Sequence, residues 1–167
     1  MRHAIVALVE NKPGVLSQLC GLIARKGFNI ANLSVADTEK PDITRISMAL
    51  ETTEIAASAE LEQVVHQLDK QVYVISVFNL TQKDPIARET ALFKIAARPN
   101  VRGEVFQVCE NYRARILDVR PDSMVVELTG DDSKIEAFKS LMETYEIIES
   151  IRTGEVFMTK DGEPLSK

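Results

Sequence analysis

Residues His3–Gly27, HAIVALVENKPGVLSQLCGLIARKG, change hydrophobic period once, and that change sets the reading of the whole chain. His3 to Val9 is an apolar run of strand length. Asn11-Lys12-Pro13-Gly14 is a turn in which Asn11 is an N-cap residue and Pro13 suits a first helical turn. Val15, Leu19, Leu22 and Ile23 then recur at helical spacing until Gly27 supplies a left-handed stop. Strand, turn and helix therefore open the chain.

The pattern extends from there. Phe28 to Ala36 alternates through Ile30, Leu33 and Val35, and after the Pro41-Asp42 turn Ile43 to Glu51 alternates through Ile46, Met48 and Leu50. Ile55 to Lys70 carries Leu61, Val64, Val65 and Leu68 on one helical stripe, and Val72 to Leu80 is a β-branched strand. The order is βαββαβ. Thr81-Gln82-Lys83-Asp84-Pro85 is polar, ends in proline and reads as a linker. The order then recurs: strand Glu89 to Ala97, helix Val101 to Tyr112 through Val105, Val108 and Cys109, and strands Arg113 to Val119 and Met124 to Thr129 around Pro121-Asp122. Asp131-Asp132-Ser133 offers N-cap side chains for a helix that turns Ile135, Phe138, Leu141 and Met142 inward, and Ile147 to Arg152 is the final strand. Gly154 to Lys167 reads as a loose tail whose Val156-Phe157-Met158 is able to pair at a sheet edge.

Two consecutive βαββαβ units predict an α+β chain of two tandem ferredoxin-like domains, each an antiparallel four-stranded sheet with both helices on one face. Ile43 to Glu51 and Val72 to Leu80 are apolar on both faces, so the sheet face away from the helices is expected to pack on a neighbour, with self-association as the consequence.

Composition narrows the function. The 167 residues are 45% apolar and 27% charged, enough to bury a core, and the net charge of −5 argues against a phosphate backbone as partner. A paired RNA-recognition fold shares the topology but needs stacking aromatics on its central strands, and the first strand has none. No apolar run approaches the ~18 residues of a membrane span and no secretory leader is evident, which predicts a cytoplasmic protein. Cys20 and Cys109 stand far apart without a CxxC and with only two histidines in the chain, so they read as small core residues. The glycines fit neither GxGxxG nor GxxxxGK[ST], and GxSxG, HExxH and EF-hand spacings are missing. No catalytic constellation emerges. An acylphosphatase-like hydrolase would need an arginine on the first turn, which carries Asn11 and Lys12 instead.

Glu10-Asn11-Lys12-Pro13-Gly14-Val15 is the segment with the chemistry of a site. The first amides of a helix point outward with roughly half a positive charge, and Gly14 has no side chain to block approach. A small amino acid could set its carboxylate on the Gly14 and Val15 amides and its ammonium on the Asn11 side-chain carbonyl. The alternative is that Asn11 merely caps the helix. Asn29 and Asn32, in Gly27-Phe28-Asn29-Ile30-Ala31-Asn32, are a second candidate pair or ordinary turn formers. The second half has Arg98-Pro99-Asn100-Val101-Arg102-Gly103 at the equivalent turn and lacks the Asn-x-Pro-Gly run.

Val9-Glu10-Asn11-Lys12-Pro13-Gly14-Val15-Leu16-Ser17, Gly27-Phe28-Asn29-Ile30 and Leu33-Ser34-Val35-Ala36 together resemble the amino-acid-binding ACT domain in the form found in acetolactate (acetohydroxyacid) synthase small regulatory subunits. Leu92-Phe93-Lys94-Ile95, Ala114-Arg115-Ile116-Leu117-Asp118-Val119 and Glu127-Leu128-Thr129-Gly130 are similar to the second domain of that family. The resemblance implies an ACT domain over residues 1–80, a second ferredoxin-like domain over 86–153 and a tail over 154–167. It implies a non-catalytic subunit that binds and activates a catalytic large subunit and confers feedback inhibition by a branched-chain amino acid, foremost valine. Thiamine diphosphate, Mg and FAD would then sit on the large subunit and no cofactor on this chain. Effector contacts would be Asn11, Gly14 and Val15 of one protomer, facing Asn29 and Ile30 of the other across an ACT homodimer. A free-standing ACT sensor of another enzyme, or of transcription, is the alternative.

Overall fold

The computed structural model describes residues 2–51, 57–161 and 165. The chain divides into two compact units, one formed by residues 1–86 with 155–167 and one by 87–154.

In the first unit the elements are β1 (Arg2–Glu10), α1 (Val15–Arg25), β2 (Asn29–Asp37), β3 (Ile43–Glu51), α2 (Ala57–Asp69) and β4 (Val74–Asn79). The strands form an antiparallel sheet in the order β2-β3-β1-β4, so β2 and β4 are edges. The predicted start of the second helix at Ile55 lies outside the described residues. Alternation places Ile5, Ala7 and Val9 of β1 beside Ile46, Met48 and Leu50 of β3 on the face covered by the helices, against Leu19, Ile23, Leu61, Val64 and Leu68. Gly27 ends α1 at φ 79°, as its position predicts.

In the second unit β5 (Ile86–Ala96), α3 (Arg102–Tyr112), β6 (Arg115–Val119), β7 (Ser123–Gly130), α4 (Asp132–Met142) and β8 (Ile147–Arg152) repeat the order, with a 3₁₀ turn at Glu143–Tyr145. The strand order β6-β7-β5-β8 matches that of the first sheet. Its core is built on Phe138, whose ring lies 5.2 Å from that of Phe93 and 5.3 Å from that of Tyr112. Asp131 caps α4 by accepting from the Lys134 amide at 2.9 Å. Below the core, Arg152 holds Glu89, Asp132 and Glu136 together, and Glu89 is buried.

Four expectations are corrected. The N-cap of α1 is Gly14 and not Asn11, because the chain enters the helix through a left-handed residue at φ 86° that glycine adopts without strain. Leu141 is 41% exposed and does not face the core, since Phe138 and Met142 already fill that stripe. The tail is not wholly loose: β9 (Val156–Met158) pairs with β5, as its apolar run allowed, buries the Phe157 side chain and groups with the first unit. Finally, the first sheet's second face does not stand open. Val6, Ser47, Ala49 and Ser76 on that face are buried within the single chain, on the side where Arg45 donates to the Phe157 carbonyl. In the second unit Leu92 and Ile151, paired across β5 and β8, remain exposed.

Candidate functional site

β1 ends at Glu10, and the next residues tie the head of the sheet together. The Asn11 backbone N–H donates to the Asp42 carbonyl at 2.9 Å and its side-chain amide to the Pro41 carbonyl at 3.2 Å, so one residue joins the β1–α1 turn to the β2–β3 turn. With the amide nitrogen committed to Pro41, the side-chain oxygen is the atom left to accept. The Val15 N–H donates to the Lys12 carbonyl at a long 3.4 Å, and the Gln18 N–H takes the Gly14 carbonyl at 3.0 Å. A Cβ on Gly14 would meet its nearest atom, Nε2 of Gln18, only at 4.0 Å, so backbone conformation and not crowding makes glycine fit here. Lys12 and Glu10 form an exposed ion pair at 2.9 Å, of little energetic weight.

These residues border a cavity of about 280 Å³ between α1 and the ends of β1, β2 and β3. Val15, Leu16, Val35 and Ile46 supply an apolar wall, while Asn11, Asp37 and Thr44 supply polar atoms. Leu16 and Val35 are part-exposed at 38% and 45%, whereas Ile46 is buried. The mixture of apolar wall, the Asp37 carboxylate, the Glu10–Lys12 ion pair and nearby helix-start amides fits a small zwitterion with an aliphatic side chain. Asn11 and Val15 lie on the cavity and Gly14 adjoins it in the chain. Leu16, Val35, Asp37, Thr44 and Ile46 were not singled out by sequence, although the period-two pattern of β2 and β3 puts Val35, Thr44 and Ile46 on the helix side of the sheet.

Asn29 and Ile30 are elsewhere. β2 and β1 both pair antiparallel with β3 and so run the same way, which puts Asn29 opposite Glu51 and Asp37 opposite Thr44. At ~3.3 Å per residue the two ends of β2 are about 26 Å apart. Asn29 donates to the Glu51 carboxylate at 3.4 Å, and Arg2 donates to the same group at 2.8 Å. The Arg2 bond and then the Asn29 bond hold that carboxyl below its usual pKa. Ile30 packs against the core. Within one chain, therefore, the five predicted effector residues form two clusters at opposite ends of a strand.

The second unit closes its equivalent turn differently. The Ala97 N–H donates to the Asp122 carbonyl at 2.9 Å, the counterpart of the Asn11–Asp42 bond. There Arg102 fills the place with its own guanidinium, donating to the carbonyls of Ala97, Arg120 and Pro121. Among the described residues, no group of three or more His, Cys, Asp or Glu side chains is arranged to hold a metal ion, and no helix is long and apolar enough to cross a membrane.

Residues 5–76 match the family model of the AHAS small subunit-like ACT domain, and residues 88–161 match that of the small subunit of acetolactate synthase. The chain is 42% identical over 160 residues to a probable acetolactate synthase small subunit of Archaeoglobus fulgidus, covering 96% of this chain and 98% of that one. This chain belongs to the acetolactate synthase small-subunit family. It is also 36% identical over 154 residues to the acetolactate synthase small subunit of Bacillus subtilis, covering 92% and 88% of the two chains. The crystal structure of the acetolactate synthase small subunit of Thermotoga maritima superposes with a TM-score of 0.86 at 33% identity, over 98% of this chain and 99% of that one. Membership makes the chain a regulatory subunit, and a small subunit implies a large catalytic one as its partner.

Proposed function

We propose that this subunit senses valine, or a closely related branched-chain amino acid, at the head of its first domain, activates the catalytic large subunit and transmits feedback inhibition to it. The single observation that carries this reading is the cavity itself, with aliphatic walls from Val15, Leu16, Val35 and Ile46 beside the start of α1. The amides of Gly14 and Val15 are the binding place for the ligand carboxylate, with Val15 exchanging its long bond to Lys12 for the ligand, a helix-terminus interaction worth ~0.3–1 kcal/mol when exposed. Asn11 takes the ammonium through its side-chain oxygen, with the Asp37 carboxylate on the same cavity.

Asn29 and Ile30 enter through a homodimer of ACT domains. Support comes from strand direction: β2 is a sheet edge, and two edges laid antiparallel set the Asn29 end of one copy beside the Asp37 end of the other. The partner's Asn29 and the partner's Ile30 would then close the cavity that Asn11, Gly14 and Val15 open. A site shared between copies links ligand affinity to their relative placement, with a typical coupling of ~1–3 kcal/mol. Thiamine diphosphate, Mg and FAD reside on the large subunit in this reading, and the complex is cytoplasmic.

Isothermal titration of the purified chain with valine, leucine and isoleucine tests this. Binding is expected to the wild type, with at least tenfold weaker affinity in Asn11→Ala and loss in Gly14→Asp, whose carboxylate repels that of the ligand. Silence of the wild type toward all three amino acids, or unchanged affinity in both variants, would reject the site.

A further inference from the structure

Thr44, Arg45 and Ile46 are consecutive on β3, and the pleat sends alternate side chains to opposite faces. Thr44 and Ile46 stand on the cavity wall. Arg45, in register with Leu8 on β1 and Ala36 on β2, turns to the other face and donates from Nη2 to the Phe157 carbonyl at 2.5 Å. Phe157 is 5% exposed, while its neighbours Val156 and Met158 are exposed. β9 is held by pairing with β5, by the buried Phe157 ring and by this one charge-assisted bond, which is its tie to β3. The Arg45 guanidinium is partly withdrawn from water: burial lowers its pKa and Glu39 opposes that shift. A desolvated cation stripped of its acceptor is costly, so this bond carries weight. Further along, Lys160 pairs with Asp84, tying the segment a second time to the unit it rejoins at Glu155.

We infer that Arg45 is a positioning residue for the effector cavity, and that residues 155–160 form a strap whose docking on β3 sets the affinity of that cavity. This rests on the reading that the cavity takes a small amino acid. The same strand is loaded from both faces, by ligand against Thr44 and Ile46 and by Phe157 through Arg45. Ile46, Ser47, Met48, Ala49 and Leu50 are all buried, and close-packed interiors transmit small displacements. Docking and effector binding are then linked, and linkage is reciprocal: the effector tightens the strap, and a partner chain that lifts the strap expels the effector.

Hydrogen exchange on the full chain with and without saturating valine, joined to calorimetry of the wild type, Arg45→Met and Arg45→Lys, tests the inference. Valine should slow exchange at residues 156–158 several-fold. Arg45→Met should weaken valine by about fivefold or more, the lower range of allosteric coupling, with Arg45→Lys intermediate because it keeps a donor. Valine binding to the wild type with unchanged exchange at 156–158, or binding undiminished in folded Arg45→Met, overturns the strap and leaves the cavity reading intact. Absence of valine binding to the wild type removes both. Because the exchange measurement uses the wild type, it decides even where the methionine variant fails to fold.

Discussion

Asn11 and Pro41 are joined by a 3.2 Å hydrogen bond from the asparagine side chain to the proline carbonyl, and beside the Asn11–Asp42 backbone bond it is the second tie between the β1–α1 and β2–β3 turns. The second domain makes the corresponding join with Arg102, which donates to the Pro121 carbonyl. A neutral amide leaves an acceptor beside the cavity, whereas a guanidinium offers donors only, so the first turn keeps an open acceptor and the second closes on itself.

Replacing Asn11 by Ala removes that exposed tie. The expected cost is about 0.5–1 kcal/mol, the net worth of an ordinary intramolecular hydrogen bond, seen as a small fall in the urea midpoint with an unchanged slope. A midpoint equal to wild type would mean that the turns are held by the Asn11–Asp42 backbone bond alone.

Gly14→Ala isolates backbone conformation from bulk. The added Cβ meets nothing closer than 4.0 Å, so the whole penalty of about 1–2 kcal/mol comes from holding alanine at φ 86°. Equilibrium unfolding measures it, and a neutral result would show that the turn relaxes to another conformation.

His3 carries a pH dependence. Its side chain is buried on β1, and neither ring nitrogen has a hydrogen-bond partner among the described residues. Burial, with the nearby N-terminal ammonium, depresses its pKa in the folded chain below the usual 6.5. The unfolded chain therefore binds the proton more readily, so stability is full above about pH 6.5 and declines as pH falls below it toward the folded pKa. Thermal denaturation between pH 5 and 8 should record this slope, and His3→Leu should flatten that part of it while raising stability by about 1 kcal/mol or more, since an unpartnered imidazole is replaced by an apolar side chain.

Glu89→Ala should be the most damaging single change in the second unit outside its apolar core. The carboxylate is 3% exposed and lies against Arg152, and deleting one member of a buried ion pair costs about 3 kcal/mol at the lower end of the measured range. Arg152 retains Asp132 and Glu136, which limits the loss. Chemical denaturation of Glu89→Ala beside Glu136→Ala distinguishes the buried pair from the exposed one, and equal effects would contradict the burial argument.

Periodicity was enough to reveal both βαββαβ rounds, since a strand with Ile5, Ala7 and Val9 on one face or a helix with Leu19, Leu22 and Ile23 on one stripe records its partner surface locally. It also singled out Gly14, because a proline followed by a glycine before a helical stripe marks a special turn whatever lies around it. The N-cap was misjudged for a physical reason: Asn11 had the right chemistry for a cap, but the left-handed Gly14 starts the helix and the Asn11 amide is taken by Pro41, thirty residues along the chain. Thr44 and Ile46 could be assigned a face of β3 but not a cavity, which exists only where α1 meets three strand ends.

Local order, then, follows from residues within a few positions of one another, since backbone preference and hydrophobic period act over a single turn or pleat. The cavity, the burial of Ser47 and Ala49, the return of Phe157 to the first unit and the separation of Asn29 from Asn11 came from chain segments brought together over long sequence distances. Such encounters depend on strand order and register, and a linear pattern of apolar and polar residues carries no coordinate for either.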